Sequence, residues 1–231
     1  MEPLIHRIFS RIFKVWRAKR QQLFCDVMVA GRGDQEAGIA RRIALMLDVG
    51  GYPAYWTPYE PVADAIHCLN IHPIEWDEGA APLHHISTRI GNGCAMPEYA
   101  DGEYEVVFSN SVIEHVGTWE DQQAFAAEVR RVGRRLWVQT PAYECPIEPH
   151  YLAPLVHYLP KEVRRRILRW FTPWGWIARP TPVQVNEMVD TTRLLTKGEM
   201  TRLFPDCKIR VERMLWIIPK SYIAIRLEDG V

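Results

Sequence analysis

The stretch that decides the fold is GNGCAMPEYADGEYEVVFSNSVIEHV, which occupies residues 91–116. Within it, residues 104–108 form a short run of apolar, aromatic and β-branched residues, a composition typical of a buried strand. Three small polar residues follow the run, namely Ser109, Asn110 and Ser111. Because ligands of open parallel sheets bind beyond the carboxyl ends of the strands, we expect a binding site at these three residues.

A helix and a second strand follow this segment. Thr118 and Asp121 form a capping-box pattern, and apolar residues at helical spacing come after them. Residues 136–139 are a second apolar run, which Thr140-Pro141 ends. The order of strand, polar tip, helix and strand predicts half of a doubly wound α/β fold.

Residues 109–116, Ser-Asn-Ser-Val-Ile-Glu-His-Val, resemble a segment of the class I S-adenosylmethionine-dependent methyltransferases of the small-molecule type. Residues 91–97 stand where that family has Gly-Asp-Ala-x-x-Leu-Pro, and the resemblance extends over residues 43–141. It implies a Rossmann-like, mixed seven-stranded sheet with helices on both faces and a closing antiparallel hairpin. It also implies S-adenosylmethionine as the cofactor.

The first strand and the glycine loop of that family correspond here to residues 43–49 and the residues after them. The family pattern is Asp-x-Gly-x-Gly-x-Gly, and Asp48, Gly50 and Gly51 keep its beginning. Glycines are required where a cofactor lies against the backbone, because a Cβ atom would intrude.

The later glycines of the loop are replaced by Tyr52 and Ala54. Two interpretations follow. In the first, the loop takes a variant path and the aromatic residues Tyr52, Tyr55 and Trp56 wall the pocket. In the second, cofactor binding is lost. We favour the first, because the other pocket segments remain recognisable.

Two asparagines stand where the family usually has carboxylates. Asn70, near the end of a strand predicted at residues 66–71, replaces the residue that binds the ribose hydroxyls, and Asn92 follows a strand predicted at residues 86–90. An amide can accept one hydrogen bond and donate another. The resemblance assigns cofactor binding to Asp48, Gly50, Gly51, Asn70, Asn92, Gly93, Ser109, Asn110 and Ser111.

An oxygen or nitrogen acceptor must lose a proton during methyl transfer, so a general base is expected near its pocket. His115 and His150 are the candidates, and Glu114 could orient a histidine or hold the ammonium group of the cofactor. The other interpretation of His115 is a structural histidine bonded to the backbone. His72, His84 and His85 lack the spacing of metal ligands, and we predict no metal site.

Two terminal segments complete the predicted fold. Thr196 and Glu199 repeat the capping-box pattern before a short helix. Residues 208–214 and 221–227 alternate between apolar and polar, which predicts two closing strands.

Residues 1–40 are predicted to form a basic amphipathic helix and a glycine-punctuated linker, and residues 41–231 the methyltransferase domain. The helix packs on the domain or covers its pocket in one interpretation, and attaches to an anionic membrane in the other. An insertion at about 141–190 is predicted to form a lid, which packs on the core in one interpretation and covers an acceptor in the other. It includes a strongly basic helix at 161–170 and an aromatic loop at 171–176.

Composition limits the compartment and the partners. Five scattered cysteines form no CxxC pair, and no apolar run reaches the roughly 20 residues of a membrane-spanning helix. We therefore expect a cytoplasmic protein, with peripheral membrane contact as a second hypothesis. The formal net charge of +0 gives no support for a nucleic-acid partner.

The sequence therefore predicts a methyltransferase acting on a small-molecule or glycan- or lipid-linked acceptor. A non-catalytic S-adenosylmethionine-binding or scaffold protein is the alternative, since the glycine loop is altered. A dinucleotide-dependent oxidoreductase is disfavoured, because G-x-G-x-x-G is missing and Asn70 stands where an acidic residue is needed.

Overall fold

The computed structural model describes residues 15–29, 42–77, 79, 83–148, 150–151 and 153–227. The strands are β1 (Ile43–Val49), β2 (Ala63–Asn70), β3 (Ile86–Ile90), β4 (Tyr104–Asn110), β5 (Gly133–Pro141), β6 (Ile147–Glu148), β7 (Ala153–Pro154), β8 (Lys208–Met214) and β9 (Ile218–Arg226). Residues 15–24 are helical (α1) and continue into one π turn, Cys25–Val29. The other helices are α2 (Trp119–Val132), α3 (Lys161–Phe171), α4 (Pro173–Ala178), α5 (Pro182–Thr191) and α6 (Lys197–Leu203).

Seven strands form one mixed sheet in the order β3-β2-β1-β4-β5-β9-β8. The first five are parallel, and β9 runs antiparallel to both β5 and β8. This confirms the predicted sheet with its closing hairpin. Strand β4 extends two residues beyond the predicted run, because Ser109 and Asn110 still pair with β5.

Hydrophobic cores cover both faces of the sheet. Alternate residues of each strand point to opposite faces. On one face, Phe125 of α2 and Met200 of α6 belong to the larger core. On the other face, Phe24 and Met28 are fully buried beside Trp137 of β5. The described part of the N-terminal segment therefore contributes to the core of the domain.

Two helices begin as the sequence predicts. Thr118 and Asp121 form a reciprocal capping box at the start of α2, and Thr196 and Glu199 form another at the start of α6. Each box satisfies backbone N–H groups that have no partner inside the helix.

The region after β5 has a small core of its own. Helices α3 and α5 enclose Tyr151, Leu168 and Val189, all fully buried. The predicted aromatic loop at 171–176 is wrong, because Phe171 ends α3 and, with Thr172 between the two helices, residues 173–176 belong to α4. Thr172 caps that helix by accepting a hydrogen bond from the N–H of Gly175 at 3.0 Å, and a proline at the first position presets the backbone.

The expected linker at 31–38 and the first 14 residues of the predicted N-terminal helix lie outside the described residues. Among the helices that the structure does describe, none has the length and apolar character needed to cross a bilayer.

Candidate active site

A cleft of about 390 Å³ opens at the carboxyl ends of strands β1 to β4. Its volume lies within the roughly 300–1,000 Å³ typical of small-molecule sites. Its walls include five of the nine predicted cofactor residues, namely Gly50, Asn70, Asn92, Gly93 and Ser111. The topology brings these residues together because the parallel strands end at one edge of the sheet.

Gly50 is required by both its backbone and its surroundings. Its φ of +77° lies in the left-handed region, and an added Cβ would be 2.5 Å from Cγ2 of Val112. Val112 itself lines the cleft. The loop after β1 and the segment after β4 are therefore in close contact, and together they form one wall.

Asp48 supports the glycine loop from within the protein. Its side chain is buried, and Oδ2 accepts a hydrogen bond from the indole N–H of Trp56 at 2.8 Å. Burial raises the pKa of Asp48 to about 7. A Cβ on Gly51 would come within 1.9 Å of the same oxygen. Neither Asp48 nor Gly51 lines the cleft.

The aromatic residues of this loop divide between two environments. Tyr52 lines the cleft and is exposed. Trp56 is fully buried between Phe24 and Phe108, and Tyr55 packs against the same cluster. The expectation that all three aromatic residues wall the pocket is therefore correct for Tyr52 alone.

The two asparagines lie at neighbouring points of the cleft. Asn70 is the last residue of β2, and its Oδ1 accepts a hydrogen bond of 3.5 Å from the N–H of His72. Oδ1 of Asn92 accepts a shorter one, 3.0 Å, from the N–H of Cys94. Both amide NH₂ groups can still donate to a ligand.

The three polar residues at the end of β4 have separate surroundings. Ser109 is buried and donates to the carbonyl oxygen of Val49 at 3.0 Å. Asn110 accepts a hydrogen bond from Arg20. Ser111 has a φ of +58° and lines both the cleft and a second cavity. The roles of Ser109 and Asn110, like those of Asp48 and Gly51, as cofactor ligands stay predictions.

The three predicted catalytic residues form one cluster. Nε2 of His115 lies 2.9 Å from Nε2 of His150, and Nδ1 of His150 lies 2.5 Å from Oε1 of Glu148. The ring of His115 therefore forms a hydrogen bond with another imidazole. The interpretation of His115 as a structural histidine expected a hydrogen bond to the backbone. Glu148, which the sequence reasoning did not select, also accepts from the N–H of Tyr151 at 2.7 Å.

Glu114 is fully buried beside this pair. Its Oε2 accepts a hydrogen bond from Oγ1 of Thr140 at 2.9 Å, and no hydrogen-bond partner for Oε1 is found among the described residues. Burial raises the pKa of Glu114 to about 7, although the nearby His150 works in the opposite direction.

The two imidazoles have pKa shifts of opposite sign. Desolvation by the neighbouring side chains and the charge of His150 lower the pKa of His115. Burial would also lower the pKa of His150, but its hydrogen bond to Glu148 and the negative charges of Glu148 and Glu114 outweigh that effect and raise it. The cluster therefore holds two chemically distinct histidines.

A second cavity of about 370 Å³ adjoins the cleft at Ser111. Its lining includes His150 and the cations Arg17, Arg20 and Lys220. Arg20 and Lys220 could not be recognised as site residues from the sequence, because they lie near opposite ends of the chain and only the fold brings them together.

Part of the chain is similar in sequence to a known protein family. Residues 49–135 match the sequence model of the family described as "Methyltransferase domain". Together with the seven-stranded fold, this match supports a class I S-adenosylmethionine-dependent methyltransferase. The matched region begins at the end of β1 and ends in β5, so it contains the loops that form the cleft. No curated protein sequence matches the chain.

Several solved structures are similar to this fold. The N-methyltransferase NodS from Bradyrhizobium japonicum WM9 superposes with a TM-score of 0.52 at 9% identity, covering 96% of this chain and 97% of that one. A putative Zn-dependent alcohol dehydrogenase from Rhodobacter sphaeroides gives a TM-score of 0.52 at 12% identity, with 84% and 88% covered. A SAM-dependent methyltransferase from Methanosarcina mazei gives 0.47 at 14% identity, with 85% and 99% covered. At these identities the likeness concerns the fold alone.

S-adenosylmethionine, the cofactor of the family, fits the residues present. Gly50 and Gly93 allow Val112 and Val49 to approach the backbone closely, and both glycines line the cleft in which the cofactor would lie. Asn70 and Asn92 line the same cleft, and their roles as cofactor ligands stay predictions.

Proposed function

We propose that this protein is an active S-adenosylmethionine-dependent methyltransferase whose acceptor is an anionic small molecule or the anionic part of a glycan- or lipid-linked compound. The observation that carries the proposal is the junction between the cofactor cleft and the cationic cavity. Ser111 lines both spaces, and the contact between His115 and His150 joins the lining of one to the lining of the other.

The charge of the second cavity supports an anionic acceptor. Arg17, Arg20 and Lys220 line it, and the carboxylate of Glu212 pairs with Arg20 at 2.7 Å and with Lys220 at 3.3 Å. Among the described residues, these three cations are partly balanced by the carboxylate of Glu212, which leaves an excess of positive charge. A carboxylate or phosphate group of the acceptor would form charge-assisted hydrogen bonds there.

The chemistry requires mainly that the two reactants be positioned. Bound S-adenosylmethionine supplies a methyl group on a good leaving group, so the protein contributes orientation and exclusion of water. Asn70 and Asn92 would bind the nucleoside part, and Tyr52, Val112 and Phe125 would cover it, since all five line the cleft. The cations of the second cavity would orient the acceptor toward the junction.

We also infer peripheral contact with an anionic membrane. Trp170 and Phe171 at the end of α3 are 63% and 73% exposed, and Trp216 in the β8–β9 turn is 93% exposed. Tryptophan suits the boundary between water and lipid, and helix α3 carries several arginines. A lipid-linked acceptor could then be reached at the surface of the membrane.

Two measurements on the full-length protein test the proposed function. Calorimetry with S-adenosylhomocysteine should show one saturable site. A methyl-donor assay should label a product in the anionic fraction of a cell extract and leave the neutral and cationic fractions unlabelled. Binding without transfer to any fraction would favour the scaffold alternative. Absence of binding would overturn both.

A further inference from the structure

Three side chains of two different chemical types meet beside the junction. Glu114, His115 and His150 each offer one ligand atom, and these atoms all lie within 4.8 Å of one another. The two imidazole Nε2 atoms are 2.9 Å apart. Two imidazole nitrogens and one carboxylate oxygen form a donor set that zinc and other divalent transition metals favour. Tetrahedral bonds of about 2.0–2.1 Å place two ligand atoms roughly 3.3 Å apart. The two imidazoles would therefore separate slightly, and the carboxylate oxygen would move closer to them by at most about 1.5 Å.

Each of the three ligands is oriented by a partner on its far side. Glu148 lies 2.5 Å from Nδ1 of His150, which leaves Nε2 of that ring toward His115. Thr192 lies 3.5 Å from Nδ1 of His115, and Thr140 donates to Oε2 of Glu114. Metal-binding histidines commonly have their other nitrogen bonded to a carboxylate or a similar group.

The buried carboxylate of Glu114 also favours a cation at this position. The residue is fully buried, and Oε1 has no hydrogen-bond partner among the described residues. A buried polar atom without a partner is costly, and a buried charge is more so. A cation beside Oε1 would remove that cost.

We propose that Glu114, His115 and His150 bind one divalent transition metal ion, with zinc as the best match. Three protein ligands leave a fourth position open, as in catalytic zinc sites. Since His115 lines the cofactor cleft and His150 lines the cationic cavity, the ion would lie beside the junction. The ion binds an oxygen of the acceptor and promotes loss of its proton to solvent. That role rests on the proposed function, whereas binding of the ion does not.

The same atoms allow a metal-free arrangement. Thr192 would donate to His115, His115 to His150, and His150 to Glu148, so that each neutral ring donates once and accepts once. This chain leaves Oε1 of Glu114 unpaired. Titration with a metal ion distinguishes the two arrangements, because only the first requires that the protein bind an ion.

The test uses full-length protein that has been treated with a chelator and desalted. Zn²⁺ is titrated by calorimetry and Co²⁺ by visible absorption. We expect one ion per chain. Glu114→Gln and His150→Ala should weaken binding by more than the roughly 10–100-fold expected for Glu148→Gln, which removes an orienting partner. His85→Ala, which changes an exposed histidine elsewhere, should leave the affinity unchanged.

His115→Ala provides a second variant at an exposed position, where the fold should tolerate the change. Lack of saturable binding, or equal affinity in the wild type, Glu114→Gln and His115→Ala, would overturn the site. Calorimetry with S-adenosylhomocysteine on the same samples separates the two proposals. If the metal binds and the nucleoside does not, the proposed function fails and the metal site stands. If the nucleoside binds and the metal does not, the metal site alone fails.

Discussion

Nη1 of Arg20 donates a hydrogen bond to Oδ1 of Asn110 across 2.8 Å. The same nitrogen donates to Oε1 of Gln139 at 3.1 Å, and Nη2 pairs with Glu212 at 2.7 Å. One guanidinium group of α1 thus links β4, β5 and β8 at the edge where the cleft and the cationic cavity meet. The planar fork of arginine allows these bonds at one time, which a lysine could not provide.

Replacing Arg20 by alanine should lower the free energy of unfolding by about 1–3 kcal/mol, because it removes charge-assisted bonds from a mostly buried group. Arg20→Lys should recover part of the loss. Lys19→Ala is the matched control, since Lys19 is exposed on the same helix. Urea unfolding measures the three variants. A loss in Arg20→Ala no larger than in the control would contradict this role.

The conformation of Gly50 gives a second prediction. Gly50→Ala should reduce stability by about 1–3 kcal/mol, because its φ is positive and the new Cβ would meet Val112. Adding Val112→Ala should relieve the collision and restore part of the loss. Gly198→Ala is the control. Gly198 lies in α6 with nothing within 4 Å of an added Cβ, so alanine there should stabilise by about 0.5–1 kcal/mol. Thermal unfolding compares the variants.

The amide of Asn70 gives a prediction on cofactor affinity. Asn70→Leu should weaken S-adenosylhomocysteine binding about tenfold, the effect of one lost hydrogen bond. Asn70→Asp should strengthen it, because a carboxylate can accept from both ribose hydroxyls. Calorimetry provides both affinities. If leucine and aspartate have the same effect, Asn70 does not contact the ribose.

The buried carboxyl of Asp48 predicts a pH dependence of stability. Its pKa is raised to about 7 in the folded protein, while that of an unfolded aspartate is about 3.9. Between these values the folded state keeps a proton that the unfolded state has released. The free energy of unfolding should therefore fall as the pH rises from about 4 to 7, by up to about 1.4 kcal/mol per pH unit.

Asp48→Asn removes this titration and keeps an oxygen that can accept from Trp56. Urea unfolding of both proteins between about pH 4 and pH 8, which spans this transition, measures the effect. The wild type should lose stability relative to the variant as the pH rises toward 7. Parallel profiles would show that Asp48 keeps an ordinary pKa in the folded state.

The turn between β8 and β9 provides a prediction on membrane contact. Leu215 and Trp216 have φ values of +50° and +68°, a region that favours glycine and asparagine. The double variant Leu215→Asn, Trp216→Gly should therefore be more stable by about 1 kcal/mol. It should also float less with anionic vesicles at low salt, because the exposed apolar tip is gone.

Val183→Ser is the control for that experiment, since Val183 is 73% exposed on a different element. Equal flotation of the wild type and the turn variant would exclude the tip from the contact. No flotation of the wild type would reject the membrane proposal.

Features set by residues close together in the sequence could be predicted, whereas contacts between distant residues could not. Strands β1, β3 and β8 have the predicted bounds, because a local apolar or alternating pattern sets each one. The grouping of Asn70 with Asn92 followed from the topology of parallel strands. The contact of His115 with His150 joins loops 35 residues apart, and that of Arg20 with Asn110 spans 90 residues. No local pattern carries such pairings.

The link between Arg20 and Glu212 has a consequence for synthesis of the protein. The two residues are 192 positions apart in the chain. At roughly 5–20 residues per second, Glu212 leaves the ribosome about 10–40 s after Arg20. For part of that interval Trp137 of β5, against which Phe24 and Met28 pack, has not been synthesised. The closing hairpin is incomplete for the whole interval. A chaperone that shields amphipathic helices on nascent chains should therefore bind this N-terminal segment until translation ends.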